Sequence, residues 1–298
     1  MLVNEQNIDL VFRGFKETYT DAFLNAAVNW EKIAMKVSSE GSEETYGWLG
    51  GVPQLREWIG QRVVWGLQAH GFTIRNRKFE STVSVPRENI ADDKLGVFKP
   101  AFSQMGELAR THPEELIFAL LASGFDTLCF DGQSFFDTDH PVTGPDGVTI
   151  NVSNSGGGSG TAWFLLDTSR TVKPTLWQER ERYEFTMLTR AEDRNVFMND
   201  EYLYGVRARV NAGFGLWQLA YGSKQTLNAT NYAAARAAMM GYKSSEGRIL
   251  GVRPTTLVVP PSLEDAALKL LNTETLDGGA SNPYKGTAEL IVTPYLGA

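Results

Sequence analysis

Residues 88–141 read ENIADDKLGVFKPAFSQMGELARTHPEELIFALLASGFDTLCFDGQSFFDTDHP, and the rest of the chain is arranged around this stretch. Leu95, Phe98, Phe102, Met105 and Leu108 recur at three- and four-residue spacing. They form one face of a helix opening near Asp92 and Asp93, where carboxylates favour a helix N-terminus. Pro100 lies inside that stripe and predicts a bend or break near Lys99, because an internal proline costs about 3 kcal/mol and removes a helix hydrogen bond. Gly96 and Gly106 are further points at which such a rod can bend. Thr111-His112-Pro113-Glu114 reads as a second start, with Thr at the cap, Pro in the first turn and an acid three residues on. Leu116, Ile117, Leu120 and Leu121 continue that helix, and Gly124 suits its end. The remainder, 125–141, reads as an extended segment turning at Asp131-Gly132.

Upstream, Ile8, Val11, Phe12, Phe15, Tyr19, Ala22, Phe23 and Ala26 line one helix face. The polar run SSEGSEE (38–44) follows and leaves that stripe without a nearby partner, so it is expected to seek another surface, including that of another chain. Residues 46–85 then change to strands and turns carrying Trp48, Trp58 and Trp65. In 72–85 the apolar face switches, from Phe72 and Ile74 to Phe79, Val83 and Val85, across Arg75-Asn76-Arg77-Lys78. Such a switch means a twist, a bulge, or burial of opposite faces against different neighbours.

Downstream, NVSNSGGGSG (151–160) reads by composition as a flexible surface loop. Strand patterns at 162–166, 182–188 and 202–210 are expected to form a sheet behind the rod. YAAARAAMM (232–240) is a strong helix, TTLVVPP (255–261) a short buried strand, and 263–271 a helix capped by Ser262. AELIVTPY (288–295) completes a sheet elsewhere.

With 298 residues, 42% of them apolar, the chain can fill a sizeable core. A formal charge of −7 argues against a surface built to hold nucleic acid. One cysteine, Cys129, precludes an intrachain disulfide, and no basic-then-apolar leader precedes Asn4, so a cytosolic chain is expected. No apolar run is long enough to cross a bilayer. Chemistry is sparse. The three histidines are His70, His112 and His140, and only Asp137, Asp139 and His140 suggest a metal site or an enzyme centre. Gly156 to Thr161 lacks the lysine of a phosphate loop, and no GxSxG or HExxH occurs. The basic run Arg75, Arg77 and Lys78 suits a carboxylate patch on a neighbouring subunit.

The ordered pieces REWIGQR (56–62), Phe79 to Val85 leading into ADDKLG (91–96), FDGQSFFDTDHP (130–141), AWFLLD (162–167), Lys173-Pro174 with Trp177-Gln178, 209–218 and 257–263 carry a likeness over nearly the whole chain. It resembles the major head subunit family of Mu-like phages and prophages. That resemblance implies an α+β chain with the Hong Kong 97-type major capsid fold. Its parts would be an N-terminal arm (1–40), an extended E-loop (41–87), a peripheral domain (88–218) with a spine helix near 92–110, an axial domain (219–285) and a return strand to the peripheral domain (286–298). It further implies a virion protein, assembled in the host bacterial cytoplasm into hexamers and pentamers of a shell around double-stranded DNA, without sequence-specific contact. Its partners would be copies of itself, a separate scaffolding protein, a portal and, in some such shells, a decoration protein. No membrane, catalytic residue, cofactor or metal is expected. Contacts between subunits are assigned to Phe12, Phe15, Trp48, Trp58, Arg75, Arg77 and Lys78. The rival reading is a cytosolic metal-dependent enzyme using Asp137, Asp139 and His140.

Overall fold

The computed structural model describes residues 4–50, 72–144, 146–244, 247–275 and 279–297. The chain opens with α1 (Glu5–Asn25), whose Asn4 side chain accepts from the Asn7 amide at 2.8 Å and so caps the first turn. After α2 (Trp30–Ile33) come β1 (Ala34–Ser38), β2 (Glu43–Thr45), β3 (Thr73–Arg75) and β4 (Arg77–Pro86). Then follow α3 (Arg87–Ala91) and α4 (Lys99–Ala122), a 24-residue helix about 36 Å long.

Helix α4 corrects the expected division of the rod. Pro100 sits in its first turn, where a missing N–H costs nothing, and the interruption lies before it, in the 3-10 turn Leu95–Val97. No second helix starts at Thr111. Its hydroxyl bonds back to the Glu107 carbonyl at 3.0 Å, and Pro113 is inside the continuous helix. Gly106 has a packing role: a Cβ there would lie 2.3 Å from the Tyr19 carbonyl oxygen. The glycine lets α1 and α4 approach closely. The stripe of α1 is therefore not detached but covered by its own chain, with Val11, Phe15 and Tyr19 buried and Phe15 stacked on Phe102 at 4.2 Å.

Strands β5 (His140–Thr143) and β6 (Thr149–Val152) form a hairpin, followed by β7 (Ser155–Gly158), β8 (Trp163–Leu166) and β9 (Thr175–Leu188). Helix α5 (Arg194–Asn199) leads to β10 (Glu201–Phe214) and β11 (Ala220–Lys224). The chain ends with α6 (Ala229–Met240), β12 (Thr256–Val259), α7 (Glu264–Leu271) and β13 (Glu289–Val292). Ser262 does not cap α7; it lies in the 3-10 turn Pro261–Leu263, and the cap position is Leu263.

A four-stranded sheet has the order β1-β9-β10-β4 and a five-stranded sheet the order β13-β12-β8-β11-β7. Alternation along β10 buries Tyr202, Tyr204, Val206, Ala208 and Val210 on one face. That face meets α4, as expected for a sheet behind the rod. The central strands β8 and β12 are buried at every position, which explains their unbroken apolar runs. Asn76 separates β3 from β4; Phe72, Ile74 and Phe79 pack on one hydrophobic core, and Val83 and Val85, further along β4, on the other.

The glycine-rich run at 155–158 is not a flexible loop. It is the edge strand β7, parallel to β11, and a Cβ on Gly156 would meet the Ser223 Oγ at 2.5 Å. These glycines answer to close strand contact. The 125–141 segment is irregular rather than extended, with an isolated bridge Leu128↔Ser134 and Gly132 at φ 86 where Asp131-Gly132 turns. Phe135 and Phe136 anchor it in the larger core, Phe135 stacking on Phe214 at 4.2 Å.

Gly106→Ala is expected to lose about 1–3 kcal/mol in urea unfolding, as α1 is pushed off α4. Gly96→Ala, with nothing within 4 Å of the new Cβ, should stay within about 0.5 kcal/mol. Equal stability of the two variants would contradict this packing.

Candidate functional site

The one buried polar cluster that the sequence pointed to is assembled from different residues than expected. His140, at the start of β5, is fully buried and stacked on Trp217 at 4.1 Å. Its Nδ1 lies 2.7 Å from Asp131 Oδ2 and its Nε2 lies 3.1 Å from Asn154 Oδ1. The Asn154 amide has a defined orientation: its Nδ2 donates to the Phe135 and Trp217 carbonyls at 2.7 and 3.3 Å, and its Oδ1 accepts the Asp137 amide at 2.9 Å. The Cys129 thiol faces Asp131 Oδ1 at 3.1 Å, and the same oxygen accepts from the Gln133 amide at 3.1 Å. Burial by itself raises the Asp131 carboxyl, but hydrogen bonds from His140, Cys129 and the Gln133 amide outweigh it and hold the group below its ordinary value. Burial pushes the Cys129 thiol far up, so it is not a poised nucleophile.

Asp137 and Asp139 are not part of this cluster. Asp137 accepts amides of Ser134 and Thr138 at 3.3 and 2.6 Å, tying the loop to itself. Asp139 is raised, first by its hydrogen bond with Asp137 and then by that neighbour's charge. The expected trio of Asp137, Asp139 and His140 therefore does not converge, because the imidazole is turned inward to Asp131 and Asn154. Asn154 escaped the sequence reading because it sits in the low-complexity run, where only the alternation of β6 and β7 around it could have marked it.

The residues assigned to contacts between subunits fall in several places. Phe15 is buried against its own chain, beneath Phe102 and Tyr204, so the surface it meets here is intramolecular. Phe12 is half-buried and stacks on Phe185 at 5.6 Å. Arg75 is exposed and pairs with Glu43 at 2.9 Å across the antiparallel β2–β3 pair. Arg77 is exposed over the Phe79 ring, 5.0 Å from its centroid, and Lys78 is exposed on β4. Trp58 and the side chain of Trp48 lie outside the described residues. Sequence reasoning missed Phe197 and Met198, which are 81% and 65% exposed on α5. An apolar pair on a six-residue helix between two long strands is the signal that could have found them.

A cleft of about 160 Å³ lies between α4 and the sheet, lined by Met105, Leu108 and His112 on one side and Phe79, Tyr183 and Val206 on the other. His112 Nδ1 and the Tyr183 hydroxyl are 2.5 Å apart. Burial holds the His112 imidazole below its ordinary value, with Glu115 opposing and Arg77 adding to that effect. Burial pushes the Tyr183 hydroxyl far above its ordinary value, so the pair it forms with His112 is not a poised nucleophile and base. No helix among the described residues is long and apolar enough to cross a membrane.

The chain's relatives account for this absence of chemistry. The major capsid protein of Escherichia phage Mu is 40% identical over 305 residues, spanning 99% of this chain and 100% of that protein. Among solved structures, the bacteriophage JBD30 procapsid contains a chain with TM-score 0.89 and 44% identity, covering 98% of this chain and 100% of that one. The JBD30 capsid decorated with minor capsid protein trimers matches with TM-score 0.76 and 33% identity over 93% of each chain. Fold and relatives together define a phage major capsid protein with the Hong Kong 97-type fold, a structural component of the virion and not an enzyme. The chain belongs to the Mu-like prophage major head subunit gpT family, which matches residues 8–296. The reading of Asp137, Asp139 and His140 as a metal-dependent enzyme is thereby overturned, on geometry and on kinship alike.

His112 yields a pH prediction whose sign follows from linkage. As pH falls, the unfolded chain protonates near the ordinary value of about 6.5 while the folded chain resists, so stability declines below that value and levels off beneath the folded pKa. The slope should not exceed about 1.4 kcal/mol per pH unit for this one proton. In His112→Gln the urea midpoint should vary less between about pH 6.5 and 5 than in the parent chain. Identical profiles would remove His112 as the cause.

Proposed function

We propose that copies of this chain assemble as hexamers and pentamers into a closed head shell that encloses double-stranded DNA. The observation that carries this reading is the likeness to the JBD30 procapsid chain over its full length. In this scheme residues 1–40 are the N-terminal arm, 41–87 the E-loop, 88–218 the peripheral domain, 219–285 the axial domain and 286–298 the return strand. In this scheme the spine helix, expected near 92–110, corresponds to α4, Lys99–Ala122. Packing of α1 on α4 supports an arm whose root is fixed and whose exposed Leu10 and Leu24 remain for neighbours. Trp48, Trp58, Arg75, Arg77 and Lys78 would then meet adjacent subunits along the E-loop and β4.

A separate scaffolding protein and a portal are the further partners of this scheme, and a decoration protein joins them by analogy with the minor capsid protein trimers on the JBD30 capsid. The net charge of −7 suits an inner wall along which packaged DNA moves without sequence-specific contact. Screening limits what exposed pairs add to stability, so the basic run would set register more than affinity.

Electron microscopy and sedimentation of the purified chain, alone and co-expressed with a scaffolding protein, test the proposal. Closed shells or ring-shaped capsomers are expected. A stable monomer or small oligomer under both conditions would refute it. The double variant Arg77→Glu/Lys78→Glu should cut shell yield severalfold while leaving the circular dichroism spectrum unchanged; undiminished yield would remove these residues from the interface.

A further inference from the structure

The buried cluster contains an unresolved pairing. Two backbone carbonyls accept from Asn154 Nδ2 and one amide donates to its Oδ1, so that oxygen is what faces His140 Nε2. An oxygen acceptor at 3.1 Å requires the imidazole proton on Nε2. The other ring nitrogen, Nδ1, in the neutral ring an acceptor once Nε2 holds the proton, faces a carboxylate oxygen 2.7 Å away. Two acceptors at that distance must share something positive. A proton is one solution, and a metal ion is the other.

The surroundings favour the ion. The third member is a thiol, and the ligand atoms of Cys129, Asp131 and His140 all lie within 4.8 Å of one another. Sulfur, carboxylate and imidazole form a donor set suited to a borderline-soft divalent cation such as Zn²⁺. Bonds of 2.0–2.3 Å place tetrahedral ligand atoms about 3.5 Å apart, so the 2.7 Å pair must open and the widest separation, at most 4.8 Å, must close, each by on the order of 1 Å. Asp131 stands on the turn with Gly132, its side chain 10% exposed, which provides both the adjustment and a path for a solvent ligand. The Nε2–H bond to Asn154 is the outer contact that a metal-ligating histidine ordinarily makes through its second nitrogen.

We propose that Cys129 Sγ, an Asp131 carboxylate oxygen and His140 Nδ1 bind one divalent Zn²⁺-class cation, with water or the second Asp131 oxygen completing the shell. The ion pins the 128–140 loop, which has little regular secondary structure of its own, onto Trp217 and β5. Binding displaces the Cys129 thiol proton and the proton shared between His140 and Asp131, so two protons pass to solvent for each ion bound. This site is independent of whether the chain forms shells.

The test uses the full chain treated with chelator, then titrated with Zn²⁺ in weak buffer and, separately, with Co²⁺. About one ion per chain, about two protons released per ion, and a thiolate-to-cobalt charge-transfer band are expected; the band reports on Cys129 because the sequence has 1 cysteine. Cys129→Ser should abolish the band and weaken Zn²⁺ at least tenfold, and Asp139→Ala should change neither. Should Cys129→Ser fail to fold, the band and the proton count in the unaltered chain still decide. No band and no proton release would leave a shared proton as the occupant and overturn the proposal. Binding that survives Cys129→Ser but is lost in Asp139→Ala would overturn it equally.

Discussion

One uninterrupted helix joining two hydrophobic cores is the constraint on which the structure depends. The N-terminal half of α4 gives Phe102, Met105 and Ala109 to the smaller core, with α1, Phe185 and Tyr204. Its C-terminal half gives Ile117, Phe118 and Leu121 to the larger core, with β8, β12 and the Phe135–Phe136 pair. Strand β10 spans the same two cores from the other side, Tyr202 to Val206 in one and Ala208 and Val210 in the other. Between the halves, Pro113 leaves the Ala109 carbonyl without its usual N–H donor. Next to it Glu114 Oε1 accepts from the amides of Asn29 and, at 3.2 Å, Trp30. That buried carboxylate caps α2 and fixes where the arm ends relative to the helix.

Much of this was legible in the sequence because burial leaves a period. The stripes of α1 and α4, the alternation of β10 and the unbroken runs of β8 and β12 each follow from how many faces the element buries. The reading failed where one residue type serves two physical ends. Pro100 and Pro113 are chemically alike, yet one sits in a first turn and the other in a helix interior, and only tertiary packing separates the cases. Gly106 and Gly156 resemble points of bending or flexibility, whereas each is small because a backbone or side chain passes close by. The arm seemed partnerless because its cover comes from residues some 80 positions away, beyond the reach of local pattern.

The candidate site was half visible. His140 stood out by type, but its Asp131 and Asn154 partners lie 9 and 14 residues away in segments read as a turn and a linker. The acidic pair beside it in sequence was the natural choice, and the turn at Gly132 is what brings the more distant acid nearer. Exposed apolar residues such as Phe197 were less visible still, since they carry no periodic signature.

The edge strand β7 has a practical corollary. A protein engineer displaying a foreign peptide on such a particle would pick the run of small polar residues at 153–160, since its composition resembles that of a linker. Yet Asn154 is fully buried there, Gly222 donates its amide to the Asn154 carbonyl at 3.0 Å, and a Cβ on Gly158 would lie 2.5 Å from the Lys224 backbone. Cargo grafted at that point would pry open a sheet, whereas Val148, between β5 and β6, is exposed in the single chain, with Gly147 before it at φ 78.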